Sequence, residues 1–187
     1  MVSKFLSRMF LVFALIGMTS LPMKNALAAD PENTLYLDLQ YGRVVIEMRP
    51  DLAPTHVARI KELTREGFYD GVKFHRVIQD FMAQTGDPTG TGRGGSGRKL
   101  RAEFSNTPHV RGTVSMARAQ SPHSADSQFF IVLADAPHLD KLGYTVWGRV
   151  IEGMEYVDLI KKGVGQSGMV PGEPDIIVKM QVAADAE

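Results

Sequence analysis

Apolar and polar residues alternate along most of this chain with the two-residue period of half-buried strands. Leu35, Leu37 and Leu39 stand opposite Tyr36 and Asp38, and Val44, Ile46 and Met48 opposite Val45 and Glu47. With the Tyr41-Gly42 turn between them, Asn33–Gln40 and Arg43–Met48 read as a hairpin. Further strands are predicted over Val72–Ile78, Phe81–Gln84, Gly112–Ala117, Ser127–Leu133, Tyr144–Val150 and Asp175–Val182, the last with Ile176, Val178, Met180 and Val182 on one face. Trp147 falls inside a strand pattern and reads as core.

Helical spacing interrupts this twice. Over Pro54–Glu66, Val57, Ile60 and Leu63 form one apolar stripe, with proline in the first turn and Gly67 as the C′ residue. Over Ile151–Lys162, Met154, Val157, Leu159 and Ile160 are apolar, and Gly163 follows the basic last turn. Loops are predicted at Gly86–Gly97, Asp135–Gly143 and Gly165–Pro174, with a frayed tail at Asp185–Glu187. About eight short strands and two one-sided helices make a mainly β domain, a sandwich or a barrel, and the pattern alone does not choose between them. The helices suit the open ends of a barrel. No internal repeat or second domain is visible.

One stretch carries an unusual mixture. Between Phe74 and Asp87 two short strands meet at a tight polar corner, and alternation puts Phe74, Arg76 and Ile78 on one face with His75 and Val77 on the other. Phe81, Met82 and Gln84 follow the corner. Taken singly, Arg76 is an outer-face cation and Phe81-Met82 is core. Together, a guanidinium, an aromatic ring, a thioether and an amide line a pocket that takes an apolar ring and hydrogen-bonds the polar group beside it.

Other chemistries find no support. Gly90-Thr91-Gly92-Arg93-Gly94-Gly95 fits G-x-G-x-x-G, but Ser96-Gly97-Arg98-Lys99-Leu100-Arg101 is not the apolar helix a dinucleotide site needs. His56, His75, His109, His123 and His138 are scattered without metal-ligand spacing, so no metal is expected. Ser121-Pro122-His123-Ser124 lies in a polar loop with no G-x-S-x-G elbow. The absence of cysteine excludes disulfides and thiolate catalysis.

Charge matters only once the N-terminus is read. Lys4 and Arg8 precede an apolar run, Met9–Met18, and Ala26-Leu27-Ala28 is an A-x-A cleavage site. Residues 1–28 read as a secretory signal peptide, and 29–187 as the mature domain. A membrane anchor fits less well, because the apolar run is short of the ~20 residues a span needs. Lys4, Arg8 and Lys24 are the only charges in the leader, so three of the 21 basic residues leave with it. That leaves 18 basic against 21 acidic residues, net −3, with nothing to draw a nucleic acid. The expected product is a soluble, monomeric, exported protein, released to a periplasm and off the membrane after cleavage.

The run Phe74-His75-Arg76-Val77-Ile78-Gln79-Asp80-Phe81-Met82-Ala83-Gln84-Thr85-Gly86-Asp87, with Ser127-Gln128-Phe129-Phe130-Ile131, resembles the signature of the cyclophilin-type peptidyl-prolyl cis-trans isomerases. The likeness extends from about Leu35 to Val182. It implies a closed eight-stranded antiparallel β-barrel with a helix over each end, and no cofactor. It also implies catalysis of Xaa–Pro bond rotation in segments of exported proteins, with a proline-peptide binding module or holdase chaperone as the rival reading. By resemblance Arg76 is the catalytic donor, and Gln84 steadies it and hydrogen-bonds the substrate backbone. Phe81, Met82, Phe130 and Leu139 hold the proline ring. Ala117, Arg118, Ala119 and Gln128 bind the residues before it, and His75 edges the pocket.

This chain departs from the family pattern in three places. Arg118 replaces a common Asn, which predicts a preference for acidic or small polar residues before proline. His138 stands where many members carry Trp, which predicts weak inhibition by the cyclic peptide cyclosporin. Tyr144 takes the place of a pocket His, its hydroxyl serving as donor.

Overall fold

A computed structural model describes residues 30–186. The expected signal peptide lies outside the described residues. After a single 3₁₀ turn at Pro31–Asn33, the described residues form the predicted hairpin, β1 (Thr34–Leu39) and β2 (Gly42–Met48), in register from Thr34↔Glu47 to Leu39↔Gly42. The first helix follows as α1 (Pro54–Arg65), with Val57, Ile60 and Leu63 buried and Gly67 at φ +69° just past its end. Its N-cap, Ala53, offers no side-chain acceptor. Glu103 supplies it from across the fold, accepting from the Thr55 and His56 amides (3.0 and 3.1 Å) and lying 2.7 Å from His56 Nδ1.

The remaining strands are β3 (Arg76–Ile78), β4 (Met82–Thr85), β5 (Thr113–Met116), β6 (Phe129–Val132), β7 (Val146–Glu152) and β8 (Lys179–Val182). All eight join one curled antiparallel sheet in the order β3-β4-β6-β5-β7-β2-β1-β8. The expected closed barrel does not form: β3 and β8 are edges, and the hydrogen-bonded ladder stays open as a half-barrel. The gap is crossed by irregular backbone, with Phe74 N donating to Asp175 O (2.8 Å), Val77 N to Gly168 O (2.7 Å) and Val170 N to His75 O (3.0 Å). Pro171 and Pro174 have no N–H to give a ladder, so this segment bridges without becoming a strand.

Helix content also differs from the expectation of two. Asp135–Gly143 contains α2 (Pro137–Leu142), too short for periodicity to reveal but begun by a proline and ended by Gly143 at φ +67°. The expected long second helix is split. Ile151 and Glu152 continue β7, Gly153 turns at φ +85°, and only α3 (Met154–Leu159) is helical. α1 packs against β8 and α3 against β2. Among the described residues no helix is long and apolar enough to cross a membrane.

The sheet separates two apolar clusters. Its inner face, with Val77, Ala83, Val114, Phe129 and Ile131, joins the main core around Trp147, whose ring meets Phe129 edge-on at 5.4 Å. Its outer face carries Met82, Phe130 and Val132, covered by Ala136 and Leu139 of the α2 segment. Burial on both faces is why Phe129-Phe130-Ile131-Val132 is apolar without alternation. Two face assignments shift. Phe74 enters the main core with Val77, because Val72–His75 precedes the ladder. Ile176 and Val178 are exposed while Ile177 is buried, because the strand begins only at Lys179.

Candidate active site

Register brings four residues into one row across the outer face. Arg76 pairs with Gln84, Gln84 with Phe130, and Phe130 with Ser115, on β3, β4, β6 and β5 in turn. Above this row lies a small cleft of about 120 Å³, lined by Arg76, Phe81, Met82, Gln84, Ala117, Arg118, Phe130, Leu139 and Tyr144. The Phe130 and Tyr144 rings meet at 84° and 5.7 Å, making a corner of apolar wall. A second groove, of about 340 Å³, adjoins it and shares Gln84, Ala117 and Arg118. Gln128 and Ala119 line this groove, together with Gly92, Arg93, Gly94, Lys99, Ser124 and Asp126.

Arg76 is half-buried and held at two points. Its Nε donates to Ser167 O (2.9 Å), and Nη1 to Gln84 Oε1 (3.3 Å), with Met82 Sδ at 3.7 Å. Among the described residues no acceptor takes Nη2, and no carboxylate forms an ion pair with the guanidinium. Burial pulls its pKa below the ordinary arginine value, with Tyr144 opposing, yet it stays a cation at any physiological pH. A cation without a counter-charge among the described residues, lining a cleft beside Phe81, Met82 and Phe130, is an unusual arrangement and suits a donor to a neutral polar group.

Gln84 is in turn fixed. Its Nε2 donates to Gln128 Oε1 (2.8 Å), and Gln128 Nε2 donates to Gly94 O (2.8 Å). The Gly86–Gly97 excursion is therefore part of the site. Buried Asp87 ties it down, accepting from the amides of Thr89, Thr91, Gly92 and Gly94 and from the Thr89 hydroxyl. Burial works against the charge, but those hydrogen bonds prevail and hold the carboxyl at about 2. A Cβ at residue 94 would fall among the Asp87 and Thr89 side chains, so only glycine lets this backbone close on the carboxylate. Asp126 ties down the following turn through Ser96 and Lys99.

Two expected residues lie outside both clefts. His75 is buried on the other side of the strand from Arg76, against Gly92, so it does not edge the pocket. Both its ring nitrogens lack a hydrogen-bond partner among the described residues. Exposed His138 packs on Phe81 (5.1 Å) as an outer rim rather than as lining.

Sequence reasoning missed the carbonyls of Ser167 and Gly94, whose parts come from backbone placement rather than motif, and gave no role to Asp87, although it closes the signature run. It also missed a serine–histidine–aspartate set: His109 Nδ1 lies 2.7 Å from Asp140 Oδ1, and Nε2 3.1 Å from Ser115 Oγ. Ser115 is fully buried with its hydroxyl on Thr145 O (2.9 Å), out of reach of any substrate. Its histidine instead backs the cleft, stacking on Phe130 at 6.3 Å.

The family described as cyclophilin type peptidyl-prolyl cis-trans isomerase/CLD matches residues 34–182. A probable peptidyl-prolyl cis-trans isomerase of Brucella suis is 50% identical over 186 residues, covering 93% of this chain and 94% of its own. Peptidyl-prolyl cis-trans isomerase B of Bacillus subtilis is 42% identical over 133 residues, covering 70% and 92%. Among solved structures, a Hirschia baltica cyclophilin superposes with TM-score 0.73 at 30% identity, covering 85% of this chain and 77% of its own. A Cryptosporidium parvum cyclophilin-type isomerase, crystallised in the presence of the dipeptide Ala-Pro, gives TM-score 0.72 at 30% identity, covering 80% and 98%. The half-barrel, the outer-face cleft and these likenesses agree, and the chain belongs to the cyclophilin-type peptidyl-prolyl cis-trans isomerases.

Proposed function

We propose that this protein accelerates rotation about Xaa–Pro bonds in exported polypeptides, with Arg76 as its catalytic residue. The bond resists rotation by ~18–20 kcal/mol because nitrogen shares its lone pair with the carbonyl. At a right angle that sharing is lost, and the nitrogen holds a localised lone pair. A proline ring seated between Phe81, Met82, Phe130 and Leu139 presents its amide to Arg76. The Nη2 N–H groups then donate to the lone pair of the twisted state and find no such acceptor in either planar state. Donation available only midway lowers the barrier. The less dipolar twisted amide also suits an apolar wall. Gln84 and Ser167 O hold the guanidinium, and Gln128 with Ala117, Arg118 and Ala119 receives the backbone before proline. No nucleophile, metal or proton transfer enters.

The observation that carries this reading is a half-buried guanidinium whose Nη2 has no acceptor and no counter-ion among the described residues, on a cleft it shares with Phe81, Met82, Phe130 and Leu139. The test is an NMR exchange or protease-coupled assay on an Ala-Pro peptide. Arg76→Ala should lower kcat/KM about 10²–10³-fold, the cost of removing one transition-state donor, with peptide affinity within about threefold. Equal rates would remove Arg76 from the chemistry and favour a binding module.

The compartment is part of the proposal. Residues 1–28 direct export and are removed after Ala28, leaving a monomer in a periplasm that meets unfolded chains and neither membrane nor nucleic acid. Uncatalysed prolyl isomerisation takes tens to hundreds of seconds, slow enough to limit their folding. Cell fractionation with mass spectrometry of the mature N-terminus tests this; an intact leader in the membrane fraction would refute it.

A further inference from the structure

The cleft has two walls that the sheet leaves unjoined. One is the run after β5, residues 117–120. The other is the turn at 142–144 between α2 and β7. Met116 N donates to Thr145 O (2.9 Å), and beyond that point no backbone hydrogen bond links the two runs among the described residues. Arg118 spans the gap. Its Nε donates to Gly143 O (3.1 Å) and Nη2 to Leu142 O (2.7 Å) on one wall, while Nη1 donates to Ala119 O (3.0 Å) and Gln120 O (3.2 Å) on its own. The guanidinium also lies over the Tyr144 ring, 4.6 Å from its centroid. That ring is the corner that meets Phe130.

Four of the five N–H groups of this side chain are thus engaged by carbonyls of the protein. A group so occupied is poorly placed to choose substrates by charge. It is well placed to set the width of the cleft and the angle of its aromatic wall. We propose that Arg118 is a positioning residue that clips the two walls together and seats Tyr144 against the proline ring. This role replaces selection of an acidic residue before the proline. The inference deepens the proposed isomerase reading and rests on it.

A planar fork is required. Lysine has a single ammonium, which cannot reach carbonyls on both sides and lie flat on a ring at once. The test compares wild type, Arg118→Ala and Arg118→Lys in the full mature chain. Substrates are peptides with Glu, Ala or Lys before proline, and kcat and KM are read separately by NMR exchange. Both variants should lower kcat/KM about tenfold, by the same factor for all three peptides and mainly through KM. In a Tyr144→Ala background, Arg118→Ala should cost less than twofold more, because the ring it seats is gone. A loss confined to the Glu peptide would overturn the proposal in favour of charge selection. So would full rescue by lysine, or an undiminished tenfold loss without Tyr144. Should the alanine variant fail to fold, the lysine variant carries the comparison. A wild type that accelerates none of the peptides would instead sink the isomerase reading itself.

Discussion

Gln84→Leu isolates how much of the chemistry depends on holding the guanidinium. The change keeps bulk and removes the amide. It takes away the Oε1 that accepts from Arg76 Nη1 at 3.3 Å, while the tether from Nε to Ser167 O at 2.9 Å remains. Hydrogen bonds to charged groups contribute about 1.5–3 kcal/mol, and 3.3 Å is longer than the usual 2.9–3.0 Å. The lower end, ~1.5 kcal/mol, corresponds to about tenfold in rate. Arg76→Ala is expected to lose about 10²–10³, so if Gln84 only positions the proposed donor it should cost clearly less. The assay is kcat/KM on an Ala-Pro peptide for wild type, both single variants and the double variant, with thermal melts confirming that each is folded. If Gln84 acts through Arg76, Gln84→Leu in an Arg76→Ala background costs nothing further, and the cycle returns a coupling of about 1.4 kcal/mol. A full tenfold loss in that background would mean that Gln84 works on the substrate without Arg76, directly or through Gln128, which its Nε2 holds at 2.8 Å. No loss in the wild-type background would mean that Ser167 alone aims the guanidinium.

Two further predictions concern stability. Glu103→Ala removes the acceptor of two α1 amides and of buried His56 Nδ1. A lost cap costs ~1 kcal/mol and a stranded buried nitrogen about 1–3 kcal/mol, so urea unfolding should show a loss of about 2–4 kcal/mol; less than 0.5 would refute the capping role. Asp87 titrates at about 2 when folded against an ordinary 3.8, so the unfolded chain takes up its proton first as pH falls. Its contribution, about 2 kcal/mol at 1.36 per pH unit, is complete above about pH 4 and disappears between there and pH 2. Urea midpoints of wild type should therefore fall more steeply over that interval than those of Asp87→Asn, and parallel curves would exclude the carboxylate as the cause.

What the sequence made legible follows from how local each cause is. The β1–β2 hairpin and α1 were readable because turn glycine, N1 proline and side-chain period all act within a dozen residues. The lining of the cleft was readable through resemblance, from two runs that place Arg76, Phe81, Met82, Gln84, Gln128 and Phe130. Arg118 was visible as a departure, yet its partners were not: they are carbonyls of residues 142 and 143, and any sequence supplies carbonyls. Ser167 enters the site in the same way, through a carbonyl 91 positions from Arg76. The open ladder was hidden because a strand pattern at Asp175–Val182 does not say whether its neighbour can offer N–H groups.

The site and the core are two readings of one ladder. Val77, Ala83, Ile131 and Val114 pair in a row across β3, β4, β6 and β5, and all four face the interior. Arg76, Gln84, Phe130 and Ser115 are the adjacent row, one residue along on β3, β4 and β6 and on β5 likewise, and so face outward. Because side chains alternate, slipping β4 by one residue would drive Met82 and Gln84 into the core and expel Ala83. An amide forced among Val77 and Ile131 without a partner would cost about 1–3 kcal/mol, and the lost apolar contacts would add to it. Burial of the inner row therefore selects the register, and the register alone sets Gln84 beside Arg76. Placing the donor needs no motif-specific energy beyond what the core already supplies. The loop bonds through Asp87, Gly94 and Gln128 are left only the finer task of aiming it.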